Sequence, residues 1–185
     1  VKFLTVYAFS KENWKRPKDE VNGIMKLAEI FFDNEFKNLR DRGVYFIFLG
    51  DREGLSQNII RIFNNIEKNN TRDRRLYLNI AFNYSGRSEI TNTLKKIALS
   101  VFKKEIDPSD ITEDLISDNL YTKGMPDPDL LIRTAGEMRV SNFLLWQISY
   151  TEFWVTDVLW PDFNKEIFLK AIEDYRRVKR RFGAV

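Results

Sequence analysis

The sequence contains no cysteine and no histidine among its 185 residues. Without cysteine, the chain cannot form disulfides, thiolate nucleophiles or cysteine-ligated zinc sites. Without histidine, it lacks the most common general base and the most common ligand of transition metals. Any chemistry must therefore use carboxylates, amides, hydroxyls and a hard metal ion.

Long apolar runs are also absent, because no stretch approaches the roughly 20 residues that a membrane-spanning helix needs. No signal peptide can be recognised, so the composition predicts a cytosolic protein. The chain begins at Val1, inside an apolar and strand-like segment, rather than at a methionine. We therefore expect the natural protein to start upstream of this residue.

The charged residues are nearly balanced, with 30 lysines and arginines against 27 aspartates and glutamates. This excess does not require a nucleic-acid partner, although it favours an anionic ligand wherever the basic residues cluster. The chain has 15 phenylalanines, 7 tyrosines and 4 tryptophans, which indicates additional apolar surface to be lined. The length predicts one domain with a buried core.

Strand-like and helix-like patterns alternate along the whole chain. Segments rich in β-branched and aromatic residues lie at 3–9, 44–49, 76–82, 129–134 and 152–158. Helical periodicity separates them and also covers residues 163–182. The alternation predicts a single α/β domain with a mostly parallel central sheet flanked by helices, with polar strand ends gathered at one edge.

Residues 129–162 contain the clearest cluster of functional side chains. An apolar run ends abruptly at Arg133, as a buried strand does when it reaches the edge of a sheet. Arg139 and Ser141 follow within eight residues. Two guanidinium groups and a hydroxyl suit a phosphate or diphosphate better than they suit a core.

Two carboxylates, Glu137 and Glu152, lie in the same stretch. Where phosphate and carboxylate oxygens converge, Mg²⁺ is the natural bridging ion. The alternative is that these charges form surface ion pairs around a loop.

Residues 10–17 (SKENWKRP) form a polar segment closed by a proline, which predicts a functional loop. Asn13 and Arg16 can hydrogen-bond an anion or orient a neighbour, whereas Trp14 can equally cover the core. The helical pattern from Pro17 onwards has a wide apolar face. That face fits packing on a sheet or, alternatively, the wall of a tunnel for a lipid chain.

Five motifs, in the same order along the chain, resemble those of the cis-prenyltransferase family, and most closely its bacterial undecaprenyl diphosphate synthases. They are residues 9–17 (FSKENWKRP), 83–87 (NYSGR), 132–137 (IRTAGE), 139–147 (RVSNFLLWQ) and 160–163 (WPDF). Several ordered motifs of this length are far more specific than a single glycine pattern.

The resemblance implies Mg²⁺-dependent, repeated condensation of isopentenyl diphosphate onto an allylic diphosphate such as farnesyl diphosphate, with cis double bonds. The implied product is undecaprenyl diphosphate, the lipid carrier for cell-wall synthesis, and an apolar tunnel receives the growing chain. The family also implies a cytoplasmic homodimer without a nucleic-acid partner. Its lipid product is compatible with peripheral contact with the inner membrane.

The resemblance assigns roles to individual residues. Three match positions tied to the condensation and the loss of a proton: Ser10, Asn13 and Arg16. Three match the site for the diphosphate of isopentenyl diphosphate: Arg133, Arg139 and Ser141. Glu152 matches a position that helps to coordinate Mg²⁺.

Other matches concern substrate closure, the tunnel and the dimer. Two residues match the mobile segment that closes over the allylic substrate: Trp14 and Glu20. Four match the tunnel lining: Ala8, Ile24, Leu27 and Leu76. Arg181 and Gly183 match an Arg-x-Gly motif that reaches across the family's dimer to the partner's substrate phosphates.

The sequence departs from the family pattern in two places. The Asp-Gly-Asn-Gly-Arg-Trp motif, whose aspartate binds the metal and whose loop holds the allylic diphosphate, lies before the equivalent of Val1. Met138 stands where the family often has histidine. We therefore expect the chain to lack the family's first strand and helix, and we expect the natural protein to be an active synthase but these 185 residues alone to be inactive.

Two other functions fit parts of the sequence. A non-catalytic subunit of a heteromeric cis-prenyltransferase is one, although such subunits tend to lose phosphate-binding residues that are present here. An RNA-binding α/β domain is the other, and a steep loss of binding with salt would support it. A trans-prenyltransferase is disfavoured, because the sequence has no Asp-Asp-x-x-Asp motif and has too many strands.

Overall fold

The computed structural model describes residues 1–179. The chain divides into two compact units, one spanning residues 1–123 and the other beginning at Gly124.

The first unit is an α/β structure built on three parallel strands. Its elements are β1 (Phe3–Ser10), a 3₁₀ helix (Lys11–Lys15), α1 (Lys18–Asp41), β2 (Val44–Leu49), α2 (Gln57–Lys68), β3 (Leu76–Tyr84), α3 (Gly86–Phe102), a second 3₁₀ helix (Pro108–Asp110) and α4 (Glu113–Ser117). The strand order is β1-β3-β2, so the last strand of the unit is the central one.

The core of this unit lies between the sheet and the helices α1 and α2, and it is rich in phenylalanine. Phe48 of β2 stacks on Phe63 of α2 with ring centroids 3.7 Å apart, and Phe32 of α1 packs edge-on against both rings. One side of α1 therefore packs on the sheet, as the core interpretation of its apolar face predicted. Another side of α1 leaves Leu27 and Phe31 exposed.

A β-bulge at Ala8 changes the face that the end of β1 presents to the core. Tyr7 pairs with Ala81 and Phe9 pairs with Phe82, which leaves Ala8 as the extra residue of β1. A bulge shifts the two-residue alternation of side chains. Phe9 consequently enters the core at 1% exposure, whereas strict alternation after Val6 would have placed Ala8 there.

The second unit contains β4 (Leu130–Arg133), β5 (Glu152–Val155), a 3₁₀ helix (Trp160–Asp162) and α5 (Lys165–Arg176). β4 and β5 are parallel, so every strand pair within residues 1–179 is parallel. The predicted α/β fold with a parallel sheet flanked by helices is thus confirmed, and the strands form one sheet in each unit. The assignment of the whole chain to a single domain stays a prediction.

Two predicted boundaries in the second unit were wrong. β5 ends at Val155 rather than at residue 158, and α5 begins at Lys165 because Asn164 caps it by accepting the Ile167 N–H at 3.1 Å. α5 ends at Arg176, so the helix predicted over residues 163–182 is shorter than its basic, periodic sequence indicated. No helix within residues 1–179 has the length and hydropathy needed to cross a membrane.

Gly50 is the position where the backbone conformation most clearly requires glycine. Its φ is +134°, and a Cβ there would lie 2.1 Å from the carbonyl oxygen of Phe82. Gly23, in the middle of α1, is the opposite case, because a Cβ there would meet nothing within 4 Å.

We expect Gly50→Ala to lower the free energy of unfolding by about 3 kcal/mol, because it combines backbone strain with a clash against a fixed carbonyl. Gly23→Ala should instead raise it by about 0.5–1 kcal/mol, since alanine is the better residue in a helix interior. Urea unfolding followed by circular dichroism measures both changes. Equal stabilities of the two variants would contradict the conclusion that position 50 requires glycine and position 23 does not.

Candidate active site

Polar segments follow all three strands of the first unit at their carboxyl ends. Ser10 begins the 3₁₀ helix after β1, Asp51 follows β2, and Asn83 and Ser85 lie at the end of β3. Because the strands are parallel, these ends share one edge of the sheet, where α/β folds bind their ligands. The predicted gathering of polar strand ends is therefore observed in this unit.

Ser10 and Asn13 hold each other in a reciprocal capping arrangement. The Ser10 hydroxyl accepts the Asn13 N–H at 3.2 Å, and the Asn13 side-chain oxygen accepts the Ser10 N–H at 2.8 Å. This pairing fixes the orientation of the Asn13 amide, because only its oxygen can accept. The side-chain nitrogen of Asn13, Nδ2, makes no hydrogen bond to any residue of the described part of the chain, so it can donate to a ligand.

Trp14 combines the two interpretations that the sequence left open. Its ring packs edge-on against Phe9 at 5.2 Å between centroids, so it covers the core. It is also 40% exposed, and its Nε1 donates to Asn83 Oδ1 at 2.7 Å. Trp14 therefore presents an anchored aromatic surface at the carboxyl edge of the sheet.

Asn83 is the residue that the sequence reasoning missed, although the motif that contains it was recognised. It is 2% exposed and has a φ of +52°, which is uncommon outside glycine. Its Nδ2 donates to the carbonyl oxygens of Asp51 and Glu53 at 2.9 Å each, while its Oδ1 accepts from Trp14. One side chain thus ties the β2–α2 turn to the segment after β1.

Arg16 and Glu20 form an ion pair, with Arg16 Nη1 2.6 Å from Glu20 Oε1. The two side chains are 49% and 47% exposed, so the pair is open to solvent. An exposed pair contributes only about 0–1 kcal/mol, and a phosphate can therefore replace Glu20 as the partner of Arg16 at little cost.

A hydrogen-bond network connects the carboxyl end of β3 with the region before residue 123. Glu89, which is 1% exposed, accepts the Tyr84 hydroxyl at 2.5 Å and the Tyr121 backbone N–H at 2.7 Å. The Tyr121 hydroxyl donates to Asp51, which also pairs with Lys11. Nothing in the sequence predicted this network beyond the polar residues that follow each strand.

Two tyrosines near this edge stay protonated at neutral pH. Burial raises the pKa of Tyr7 to about 12, and the negative charge of Glu12 adds to the effect. Burial, together with the hydrogen bond to Asp51, also raises the pKa of Tyr121. Both phenols consequently act as hydrogen-bond donors rather than as bases, and Tyr7 donates to the Tyr84 carbonyl oxygen at 3.3 Å.

Two open clefts adjoin these residues. One, of about 410 Å³, is lined by Lys11, Trp14, Glu53, Gly54 and Asn83. The other, of about 350 Å³, is lined by Lys11, Asp51, Glu53, Arg87, Ser88, Thr91, Asn92 and Lys95. The first cleft brings the exposed surface of Trp14 beside a lysine, as a site for an anion with an apolar tail requires.

The predicted tunnel residues all lie in the first unit but in different environments. Ile24 and Leu76 are half-buried and pack against the core cluster. Ala8 is exposed at the bulge, and Leu27 is 67% exposed on α1. The tunnel itself stays a prediction.

In the second unit, Arg133 is the last residue of β4, as its position after the apolar run predicted. Its side chain is half-buried, and its Nε is buried without a hydrogen-bond partner among residues 1–179. Buried donors are almost always satisfied in folded proteins. The Nε–H of Arg133 is therefore free to donate to a ligand.

The chain after β4 turns sharply and is held by backbone hydrogen bonds. The Gly136 N–H donates to the Thr156 carbonyl oxygen at 2.9 Å, and the Thr156 N–H donates to the Arg133 carbonyl oxygen at 2.9 Å. Gly136 has a φ of +65°, and a Cβ there would lie 2.8 Å from the Asp157 carboxylate. The turn thus fixes the position at which β4 ends.

Strained backbone follows at residues 141–144. Ser141, Asn142 and Leu144 have φ angles of +49°, +62° and +47°. Non-glycine residues in this region cost of order 1–3 kcal/mol each and cluster at functional sites. Ser141 is exposed, and its hydroxyl is a predicted phosphate ligand. The backbone conformation of this residue therefore costs free energy in the folded protein.

Arg139 and Glu137 form an ion pair, as the surface interpretation of this stretch allowed. The Arg139 side chain is 66% exposed, so the pair leaves most of the guanidinium open to a ligand. Glu152 is placed differently, because it pairs with Leu130 in the sheet while Arg133 pairs with Val155. Three residues of strand separate Glu152 from the level of Arg133, about 10 Å along the strand.

No group of three or more acidic side chains within residues 1–179 is arranged to hold a metal ion alone. The half-buried Glu152 carboxylate makes no ion pair or side-chain hydrogen bond with the described residues. One open carboxylate fits the way in which Mg²⁺ is usually held, by one or two carboxylates together with substrate phosphates. The predicted Arg181 and Gly183 lie outside the described residues.

Comparison with known proteins identifies the class of this chain. A family model described as "Putative undecaprenyl diphosphate synthase" matches residues 1–183. An isoprenyl transferase of Streptococcus pyogenes serotype M6 is 49% identical over 189 residues, which cover 100% of this chain and 76% of the relative. An isoprenyl transferase of Clostridium tetani is 47% identical, with 100% and 72% covered.

Two solved structures share the fold. The lavandulyl diphosphate synthase of Lavandula x intermedia, crystallised with dimethylallyl diphosphate, superposes with a TM-score of 0.96 at 36% identity, covering 99% of this chain and 79% of that one. A probable undecaprenyl diphosphate synthase of Campylobacter jejuni gives 0.87 at 32% identity, covering 99% and 84%. The fold and these similarities define an enzyme that transfers prenyl groups. The chain belongs to the undecaprenyl diphosphate synthase family.

We expect Asn83→Ala to lower the free energy of unfolding by roughly 2 kcal/mol, because it leaves two carbonyl oxygens and the Trp14 indole N–H without their partner. Asn58→Ala on α2 is the matched control, since Asn58 is exposed and accepts only a 3.3 Å hydrogen bond from Arg61. Urea unfolding measures both variants. An Asn83→Ala protein as stable as the control would show that the hydrogen bonds of Asn83 do not stabilise the fold.

Proposed function

We propose that this protein condenses isopentenyl diphosphate with an allylic diphosphate in an Mg²⁺-dependent reaction and repeats the step to build a long polyprenyl diphosphate with cis double bonds. The family membership supports prenyl transfer in general. The Lavandula relative, which was crystallised with an allylic diphosphate, supports this substrate class. The observation in this chain that carries the proposal is the buried, unpartnered Nε of Arg133 at the end of β4.

Arg133 is proposed to bind the diphosphate of isopentenyl diphosphate. A guanidinium offers its donors in a planar fork that matches the oxygens of a phosphate. Leaving a buried donor unsatisfied costs about 1–3 kcal/mol, and a phosphate oxygen would remove that penalty. The unsatisfied donor thus favours an anionic ligand over surface ion pairing alone.

Arg139 and Ser141 are proposed to complete the same diphosphate site. The mostly exposed ion pair between Arg139 and Glu137 contributes little, so a diphosphate with several negative charges can compete for the guanidinium. The Ser141 hydroxyl can donate one further hydrogen bond. Its left-handed backbone supports a functional role, because strain of this kind persists where a site needs it.

The reaction breaks a carbon–oxygen and a carbon–hydrogen bond, forms a carbon–carbon bond and moves a double bond. The allylic carbon–oxygen bond breaks with its electron pair leaving on the diphosphate, and the terminal alkene carbon of isopentenyl diphosphate bonds to the allylic carbon. The methyl-bearing carbon of the former alkene becomes electron-deficient, and the CH₂ group on its other side loses a proton to form the new double bond. Charge develops on the leaving diphosphate, so positioned cationic donors lower the barrier. Arg16 is proposed to be such a donor, released from Glu20 by the ligand.

Asn13 and Ser10 are proposed to orient the substrate diphosphate next to the carbon that loses the proton. The capping arrangement fixes the Asn13 amide with its NH₂ group free to donate. The chain has no histidine or cysteine, and the pKa of Tyr7, about 12, keeps that phenol protonated. We therefore assign the acceptance of the proton to a phosphate oxygen of the substrate rather than to a side chain.

The remaining assignments concern the hydrocarbon part and the assembly. Trp14 is proposed to cover the allylic substrate, with Glu20 acting as the alternative partner of Arg16. The proposed tunnel lining is Ala8, Ile24, Leu27 and Leu76. A homodimer in which Arg181 and Gly183 reach the partner's substrate is part of the same proposal.

Glu152 is proposed to hold Mg²⁺ together with substrate phosphate oxygens. A bound Mg²⁺ supplies charge neutralisation of the diphosphate, which helps it to leave. The contribution of the chain is an open carboxylate on a strand end, and the Asp129 carbonyl oxygen fixes the backbone there by accepting the Glu152 N–H at 3.1 Å.

We expect Arg133→Ala to lower kcat/KM by about 10²–10³, as the loss of a positioned charge donor does. The assay is incorporation of radiolabelled isopentenyl diphosphate by the natural protein, with farnesyl diphosphate and Mg²⁺. Arg61→Ala is the control, because Arg61 is an exposed arginine of α2 whose contact is with Asn58. Comparable activity of the Arg133→Ala and Arg61→Ala proteins would contradict the assignment of Arg133 to the diphosphate site.

Chelation of divalent cations should abolish turnover, and added Mg²⁺ should restore it. Glu152→Gln should raise the Mg²⁺ concentration needed for half-maximal activity by about 10–100-fold, because it removes a charged ligand but keeps its shape. Glu173→Gln on α5 is the exposed acidic control. An unchanged Mg²⁺ dependence in Glu152→Gln would exclude this residue as a ligand.

A further inference from the structure

The loop of residues 10–16 carries Ser10, Asn13 and Arg16 of the proposed site, yet it has little stability of its own. Its regular part is a 3₁₀ helix of five residues, none of which is buried. Short 3₁₀ helices have poorer hydrogen-bond geometry than α-helices, and exposed segments with few apolar contacts open most easily. The position of this loop therefore depends on its contacts with the rest of the first unit.

Two side chains of the loop contact the carboxyl edge of the sheet. The Lys11 ammonium forms an ion pair with the Asp51 carboxylate, and the Trp14 indole donates to Asn83 Oδ1 at 2.7 Å. Asp51 and Asn83 are also joined to each other. The Asp51 N–H donates to the Asn83 carbonyl oxygen at 3.2 Å, and Asn83 Nδ2 donates to the Asp51 carbonyl oxygen at 2.9 Å. Both contacts of the loop thus end on one connected pair of residues.

The Asp51 carboxylate is oriented by two neighbours besides Lys11. Its Oδ1 accepts from Asn92 Nδ2 of α3 at 2.9 Å and from the Tyr121 hydroxyl. Asn92 Nδ2 also donates to the Tyr121 hydroxyl oxygen at 3.0 Å, so the three side chains form a closed group. The ion pair with Lys11 is made by the other oxygen, Oδ2. Two neutral donors therefore hold the carboxylate so that Oδ2 faces the loop.

Tyr121 is held in turn by the buried Glu89 of α3. Glu89 is 1% exposed, and its Oε1 accepts the Tyr121 N–H at 2.7 Å. Its Oε2 accepts the hydroxyl of Tyr84, at the end of β3, at 2.5 Å. The orientation of Asp51 is thus supported by buried groups of α3 and β3 rather than by mobile surface side chains.

The ion pair of Lys11 is more sheltered than that of Arg16 in the same loop. The side chains of Lys11 and Asp51 are 35% and 18% exposed, whereas those of Arg16 and its partner are 49% and 47% exposed. Water and salt screen the sheltered pair less. Because Asp51 is fixed by its neighbours, it cannot follow the lysine. The Lys11 pair therefore suits a fixed anchor for the loop.

We propose that Asp51 is a positioning residue, which holds Lys11 and thereby fixes Ser10 and Asn13 for the reaction. Lys11 directly follows Ser10, and Ser10 and Asn13 are joined by their reciprocal hydrogen bonds, so a shift of Lys11 moves both. A misplacement of about 1 Å can lower a rate by about 10²-fold. The inference rests on the proposed function, because that proposal places Ser10 and Asn13 at the substrate.

Two substitutions remove this anchor, one from each side. Asp51→Asn keeps the shape of the side chain and an oxygen that accepts from Asn92 and Tyr121, but it removes the charge that attracts Lys11. Glu53 lines both clefts beside Lys11, so the released ammonium can turn to Glu53 and take the loop with it. Lys11→Met keeps the length of the side chain and removes its charge.

The kinetic test measures kcat and KM separately, by incorporation of radiolabelled isopentenyl diphosphate into farnesyl diphosphate with the natural protein and Mg²⁺. Asp51→Asn and Lys11→Met should each lower kcat about tenfold and leave both KM values within about twofold, because the loop is misplaced while the substrates still bind. The double variant should be no slower than either single variant, since both remove the same contact. Lys11→Arg, which keeps a cation for Asp51, should restore most of the activity.

Hydrogen exchange gives a second measurement that needs no turnover. The backbone N–H groups of Ser10, Asn13 and Arg16 are hydrogen-bonded within the loop, so their exchange reports its opening. Mass spectrometry of residues 10–16 should show about tenfold faster exchange in Asp51→Asn and Lys11→Met than in the wild type.

Two controls separate loss of position from loss of charge or of stability. Lys37→Met removes an exposed lysine of α1 and should behave as the wild type does. Asn70→Ala removes two hydrogen bonds to the backbone of Phe46 in β2, of 2.9 and 2.7 Å. It should lower the urea midpoint without changing kcat or the exchange of residues 10–16.

Several results would overturn the proposal. Unchanged exchange of residues 10–16, or unchanged kcat, in both single variants would show that Asp51 does not hold the loop for the reaction. A tenfold higher KM at unchanged kcat in Lys11→Met would make Lys11 a substrate ligand instead. A kcat that falls equally in Asn70→Ala would reduce the effect to stability.

Failure of the proposed function has a different signature. A wild type that does not incorporate isopentenyl diphosphate would contradict that proposal, and the exchange of residues 10–16 would still decide whether Asp51 holds the loop. Circular dichroism confirms folding. Lys11→Met changes only a half-exposed side chain, so it keeps the test decisive if Asp51→Asn unfolds.

Discussion

The parallel pairing of β1 and β2 with β3 is the constraint on which the described site of the first unit depends. Because these three strands are parallel, the chain leaves all of them at one edge and must turn there three times. Asn83 lies at this point, with a left-handed backbone and a side chain that is fully used in holding two of the turns. Gly50 allows the closest approach between the turn after β2 and the end of β3. Several independent contacts at this edge of the sheet therefore hold the loop that carries Asn13, Trp14 and Arg16.

The absence of histidine and cysteine limits the kinds of side chain that this site can use. The described polar groups are mainly charges and donors: guanidinium groups, amides, hydroxyls, and tyrosines whose pKa values are raised. Such groups bind and stabilise anions but are poor bases at neutral pH. A reaction whose main demand is the departure of a diphosphate fits this set, because stabilising the leaving charge matters more than removing a proton. In the proposed reaction, the diphosphate would replace the carboxylates that pair with Arg16 and Arg139 in this structure.

The helices α1 and α3 both expose apolar side chains, for different physical reasons. α1 packs Val21, Phe32 and Phe36 into the core and leaves a second apolar side open, which fits a wall for the hydrocarbon of the proposed substrate. α3 buries a glutamate in a satisfied network and turns a leucine and phenylalanine strip toward solvent among lysines. For an enzyme proposed to make a long lipid, the open side of α1 would serve the product.

The sequence by itself determined the element order, the parallel α/β class and the family, because these follow from periodicity and from motifs that are local in the chain. It also predicted that Arg133 ends a strand, because an apolar run that stops abruptly at a cation is typical of a buried strand reaching the edge of a sheet. Only the tertiary structure decided that Ala8 is expelled by a bulge, that Asn83 ties together segments about 30 and 70 residues away, and that Glu89 of α3 is buried while Leu94, Leu99 and Phe102 are exposed. Each of these depends on strand register or on which side of a helix meets the sheet, and neither is encoded by spacing along the chain.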